Sequence, residues 1–128
     1  YANGMSRMIV PIGVPSPHFP DQASVNPGQQ YMLGSVGLKP EEFGGGPQDV
    51  RPALAAAKRE FSKKFGVGWE HLSDVQLTDS FATGIFPNVQ FGMHPEGAFL
   101  MRFMPHPDDP QRFTYDTMTL VRHVEDPS

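Results

Sequence analysis

Hydrophobic and polar residues alternate along residues 75–93. Odd positions carry Val75, Leu77, Phe81, Ile85, Val89, Phe91 and Met93. Even positions carry Gln76, Thr78, Ser80, Ala82, Gly84, Asn88, Gln90 and Gly92. A period of two predicts β structure with one apolar face and one face of small and polar groups. That second face either meets water or leaves room for a ligand. Two residues interrupt the pattern. Pro87 cannot donate to a ladder and predicts a bulge or an edge. Asp79 stands in the apolar row, where a bare carboxylate is costly, so a bulge or a backbone hydrogen bond is expected there. His94-Pro95-Glu96-Gly97 reads as a turn. Residues 98–104 form a second run and residues 113–121 a third, separated by the proline-rich stretch 105–110. Short connections favour antiparallel neighbours, so 75–123 is predicted to be a β-meander.

Upstream, periodicity changes. Residues 49–65 carry Val50, Leu54, Ala57, Phe61 and Phe65 at helical spacing. Asp49 suits the N-cap, Pro52 falls in the first turn, and Gly66 suits the position after the last turn. Lys63 and Lys64 complement the negative end of the helix dipole. Together with Lys58 and Arg59 they read as a solvated face rather than an anion site. A further helical turn over 69–73 would carry this segment to residue 74. Residues 1–48 read as a strand and loops: 6–14 is a candidate strand weakened by Pro11 and Gly13, 15–30 a long loop, and 31–38 a short apolar group.

Composition narrows the function. The chain has 128 residues, ten basic and fourteen acidic, for a net charge of −4. That is one domain or part of one, without the basic cluster that nucleic acid requires. With no cysteine, disulfides and thiolate metal sites are excluded within these residues. No run is long enough to span a membrane and no signal peptide opens the chain, so a cytoplasmic protein is expected. The first residue, Tyr1, suggests a fragment. His18, His71, His94, His106 and His123 show none of the usual paired metal-ligand spacings. His106-Pro107-Asp108 matches a His-x-Asp pair, but three letters in a proline-rich turn carry little weight. No nucleophile motif and no phosphate-binding loop is present. The seven methionines and ten phenylalanines are mostly core material.

A longer pattern says more. Residues 79–110, DSFATGIFPNVQFGMHPEGAFLMRFMPHPDDP, resemble the catalytic domain of Rieske-type aromatic ring-hydroxylating oxygenase α subunits. The most specific pieces are Ile85-Phe86-Pro87-Asn88 and the unit made by Arg102, Pro105 and His106. Residues 6–17 and 55–73 are similar to the segments that precede this region in the family.

The resemblance implies an α+β helix-grip fold, a curved antiparallel sheet packed on helices around a substrate cavity, incomplete in this chain. It also implies a parent protein that uses a Rieske [2Fe–2S] cluster and mononuclear Fe(II) to hydroxylate an aromatic or other apolar small molecule with O₂. Expected partners are the substrate, the rest of the α subunit, further copies in a homo-oligomer, and a reductase or ferredoxin. Alternation and resemblance together assign Ser80, Ala82, Phe86, Asn88 and Gly92 to the substrate. The family's iron ligands fall outside these residues, so no bound iron and no oxygenase activity are expected of this chain alone. The competing reading is a metal-free helix-grip module that holds an apolar ligand. In either case a sheet without its partner helix would expose an apolar face and open edges, which recruit other chains.

Overall fold

The computed structural model describes residues 3–16, 18 and 21–121. The elements in order are β1 (Met5–Val10), α1 (Pro27–Ser35), short 3₁₀ turns at Pro40–Glu42 and Pro47–Asp49, α2 (Val50–Phe65), α3 (Asp74–Thr78), β2 (Ser80–Ile85), β3 (Val89–His94), β4 (Gly97–Pro105) and β5 (Phe113–Val121). This is an α+β chain with one open, five-stranded antiparallel sheet in the order β1-β2-β3-β4-β5. It divides into two compact units, a sheet unit of residues 1–10 and 80–128 and a helical unit of residues 11–79. Of the meander expected over 75–123, residues 122 and 123 lie outside the described residues, His123 among them.

The helical unit holds the buried core. Leu33, Val50 and Leu54 form one cluster, with Ile12, Val25 and Phe43 packed against it. Ala55, Trp69 and Leu77 form another. Each fully buried leucine contributes about 1.5–3 kcal/mol relative to exposure. α1 corrects the expectation of a loop over 15–30. Its start is chemically explicit: Asn26 accepts from the Gln29 amide while the Gln29 side chain accepts from Asn26, and Pro27 occupies the first turn. The Gln29 amide group, itself buried, also donates to the Pro47 carbonyl at 3.1 Å.

α2 begins one residue later than expected. Asp49 does not cap it; its carboxylate instead accepts from the Gly46 amide and closes the preceding 3₁₀ turn. The buried face of α2 is Val50, Leu54, Ala55 and Ser62, so the expected stripe fails towards its end. Phe61 and Phe65 stay exposed and form an aromatic cluster with Trp69. Lys58 and Arg59 are not simply solvated: Lys58 donates to the Leu77 carbonyl, and Arg59 to the Leu72 carbonyl and to Asp74.

Gly66 ends α2 in the left-handed conformation, as expected. Ser62 locks the exit, accepting from the Trp69 amide and donating to Glu70 at 2.7 Å. That hydroxyl bond holds the Glu70 carboxyl below its ordinary value. The contact is therefore present above that range and is lost as pH falls and the carboxylate protonates. Residues 69–73 form a turn, not a helix.

The largest correction concerns residues 75–78. They belong to α3, not to a strand, and Ser73 and Gln76 cap it reciprocally. Asp79 ends the unit at 3% exposure. Its carboxylate accepts from the Ile12 amide (3.2 Å) and the Thr78 hydroxyl (3.1 Å), and pairs with Arg51 at 3.0 Å. The expected backbone hydrogen bond is present.

In the sheet unit the alternation over 80–93 proves to be a hairpin, not one strand. Residues 86–88 form the turn, and the Phe86-Pro87 peptide is cis. Ile85 faces Val89 and Phe81 faces Met93. A three-residue loop preserves the parity of positions, so odd faces odd and the period runs through the turn unbroken. The turn at 95–96 is two residues long and reverses parity: Gly92 faces Phe99. β1 ends at Val10, short of the expected 14, and β5 spans the expected residues.

Gly97, at the start of β4, lies against the backbone of β5. A Cβ there would run into the Leu120 carbonyl oxygen. Gly97→Ala is therefore expected to force the two strands apart and to cost about 1–3 kcal/mol, the range for overpacking. Faster amide exchange across residues 113–121 would report it; unchanged protection would show that the strands accommodate a methyl group.

Candidate functional site

Register sorts the sheet into two faces. Ala82 pairs with Gly92 and Gly84 with Gln90, while Met8 flanks Ala82 on one side and Phe99 flanks Gly92 on the other. One face thus has a floor of small residues on β2 and β3. The floor lies between bulkier side chains on β1 and β4, roughly 14 Å apart at the usual inter-strand spacing. Beyond Phe99 the same face continues to Phe103 and Tyr115, whose rings stack with centroids 4.9 Å apart, and to Phe113. An apolar cleft of about 210 Å³ opens on this face beside the floor. It is lined by His94, Gly97, Phe99, Thr119 and Val121, with Glu96 at the turn. Ser80 Oγ and His94 Nε2, 3.4 Å apart, form the polar pair beside it.

Three of the five residues assigned to the substrate therefore come together. Ser80, Ala82 and Gly92 share this face, and the structure adds His94 and Phe99, which sequence reasoning missed. His94 follows Gly92 by two positions on β3, so alternation alone puts it on this face. For Phe99 the signal was the register, since with a two-residue turn at 95–96 it must stand beside Gly92. The other two residues go elsewhere. Asn88 Nδ2 donates to the Met104 sulfur at 2.9 Å, towards the row of the opposite face. Phe86 projects from the β2–β3 turn and is 80% exposed, with its amide donating to the Gly4 carbonyl.

The polar groups of the β4 end serve structure. Arg102 donates from Nε and Nη2 to Asp116, its cross-strand partner on β5. His106 Nδ1 accepts from the Asp108 amide, which folds the turn before β5 and leaves the His106 and Asp108 side chains uncombined. Among the described residues no three His, Asp or Glu side chains converge. They do not by themselves fit a mononuclear iron, and a chain without cysteine supplies no thiolate to a Rieske cluster. No step through either group follows from these residues. What the face can do is hold an apolar molecule: ring stacking and dispersion from Phe99 and its neighbours, with a hydroxyl and an imidazole at one end.

Among the described residues no helix is long and apolar enough to cross a membrane. Compared with protein-family models, curated proteins and solved structures, the chain matches none of them.

Proposed function

We propose that this chain contributes the substrate-holding sheet of a helix-grip catalytic domain of the Rieske oxygenase type. The ligand is an aromatic or other apolar small molecule, which the parent protein hydroxylates with O₂. The observation that carries this reading is the small floor of Ala82, Gly84 and Gly92 beside the cleft at His94 and Phe99. Those residues lie within 79–110, the segment whose sequence resembles the family. The polypeptide's remaining parts would supply Fe(II) and the [2Fe–2S] cluster, and a reductase or ferredoxin the electrons. The chain's own contribution is to position the substrate and keep water from it.

The test uses the native protein that contains this chain, recovered from its cells through an affinity tag. Iron and acid-labile sulfide are measured, along with O₂-dependent hydroxylation of naphthalene. The expected result is sulfide-bearing protein that hydroxylates naphthalene, with Ala82→Phe lowering turnover at least about tenfold because the ring fills the floor. Protein without acid-labile sulfide that still binds naphthalene, and loses that binding in Ala82→Phe, would instead establish the metal-free binding module. Indifference of both binding and turnover to Ala82→Phe would overturn the site.

A further inference from the structure

The opposite face of the sheet carries a feature that the substrate floor does not use. Arg51, Arg59 and Arg102 each hold a carboxylate, those of Asp79, Asp74 and Asp116. Arg7 holds none among the described residues. Its guanidinium instead lies over the Phe81 ring, 5.6 Å from the centroid. Register explains the placement. Arg7 pairs with Thr83, and Phe81 pairs with Met93, so all four share the face opposite Ala82 and Gly92. Beside Arg7 opens a cleft of about 390 Å³ lined by Asn3, Met5, Arg7, Thr83 and Met93. That volume is within the range of small-molecule sites, roughly 300–1,000 Å³.

We infer that this cleft binds a small apolar molecule bearing a carboxylate, with the carboxylate on Arg7 and the hydrocarbon against Met5 and Met93. Three features support the choice. The guanidinium is planar and presents paired donors that match a carboxylate. Contact with Phe81 orients it without neutralising it, since a ring offers only its quadrupole. Thr83 and Asn3 add neutral hydrogen-bonding groups beside it, while the methionines offer adaptable apolar walls. Among the described residues of the cleft lining Arg7 is the sole charge, so an anion gains an attraction there that a neutral isostere lacks.

The experiment titrates the full chain with 2-naphthoate and with 2-naphthalenemethanol, its neutral counterpart, by calorimetry. Amide shifts at Thr83 and Met93 serve as the positional readout. The wild-type chain should bind the carboxylate about tenfold more tightly than the alcohol. Arg7→Gln should abolish that preference, Arg7→Lys should keep part of it, and added salt should weaken the carboxylate alone. Ala82→Phe, which blocks the substrate floor on the other face, should leave the carboxylate-induced shifts at Thr83 and Met93 unchanged, which separates this site from the floor. Equal binding of both probes, a preference that survives Arg7→Gln, or shifts confined to Gly92 and Phe99 would each overturn the inference. Should Arg7→Gln unfold the chain, the Arg7→Lys and salt results decide it.

Discussion

Asp79→Ala is expected to destabilise the helical unit by about 3 kcal/mol, the low end for breaking a buried ion pair by removing one partner. The carboxylate is 4% exposed and the Arg51 side chain 22%. Removing Asp79 therefore leaves a cation that is only partly able to reach water. It also strips the Ile12 amide of its acceptor, and an unpaired buried donor costs about 1–3 kcal/mol; the Thr78 hydroxyl keeps the Asp74 carbonyl at 2.8 Å. Arg51→Met should cost less, since Asp79 keeps both neutral donors. Asp79→Asn should fall between the two. The chain has a single tryptophan, Trp69, buried in this unit, so urea unfolding followed by its fluorescence reads the right part of the molecule. A loss below about 1 kcal/mol for Asp79→Ala would show that Arg51 swings out to solvent and that the pair is dispensable.

Asp79 also shows where the sequence was legible and where it misled. Its place in an apolar row correctly demanded a partner. Arg51, 28 positions upstream, could not be found without the fold. The same row misread Val75 and Leu77, because four residues cannot distinguish a strand from a helical turn. The capping pair Ser73 and Gln76 could have decided it, as Asn26 and Gln29 could have for α1. Period two survived the β2–β3 hairpin because its odd-numbered loop conserves parity. Alternation therefore found the faces correctly while missing the turn. At the far end, Phe113–Val121 was legible because prolines on one side isolate it.

Of the site, the floor was legible and the walls were not. Ser80, Ala82 and Gly92 follow from alternation alone. His94 continues the same even row and was missed because it was read as part of the turn. Phe99 required the turn length at 95–96, and Arg7 required the pairing of β1 with β2, which no local pattern encodes. Asn88 and Phe86 were assigned by continuing a period through a turn, where backbone geometry no longer obeys it.

Leu33→Ala and Leu100→Ala should separate the two units energetically. Leu33 is fully buried against Val50 and Leu54, so its truncation is expected to cost about 2–5 kcal/mol, transfer plus cavity. Leu100 is only half-buried in β4, and no described residue of the sheet unit is buried on either face. Its truncation opens no enclosed cavity and should cost under about 1 kcal/mol, a fraction of the transfer term. Yet the sheet exposes Met8, Ile9, Phe99, Phe103, Tyr115, Met118 and Leu120, more apolar surface than an isolated sheet tolerates without association. Hydrogen exchange of peptides from α1 and β4 in both variants measures the two costs separately. A large Leu33 cost with a small Leu100 cost means a core on one side and an open binding surface on the other. Comparable costs would mean that something covers the Leu100 face in solution. Dilution then identifies the cover: a Leu100 cost that shrinks on dilution belongs to a second copy of the chain, because only self-association depends on the chain's own concentration.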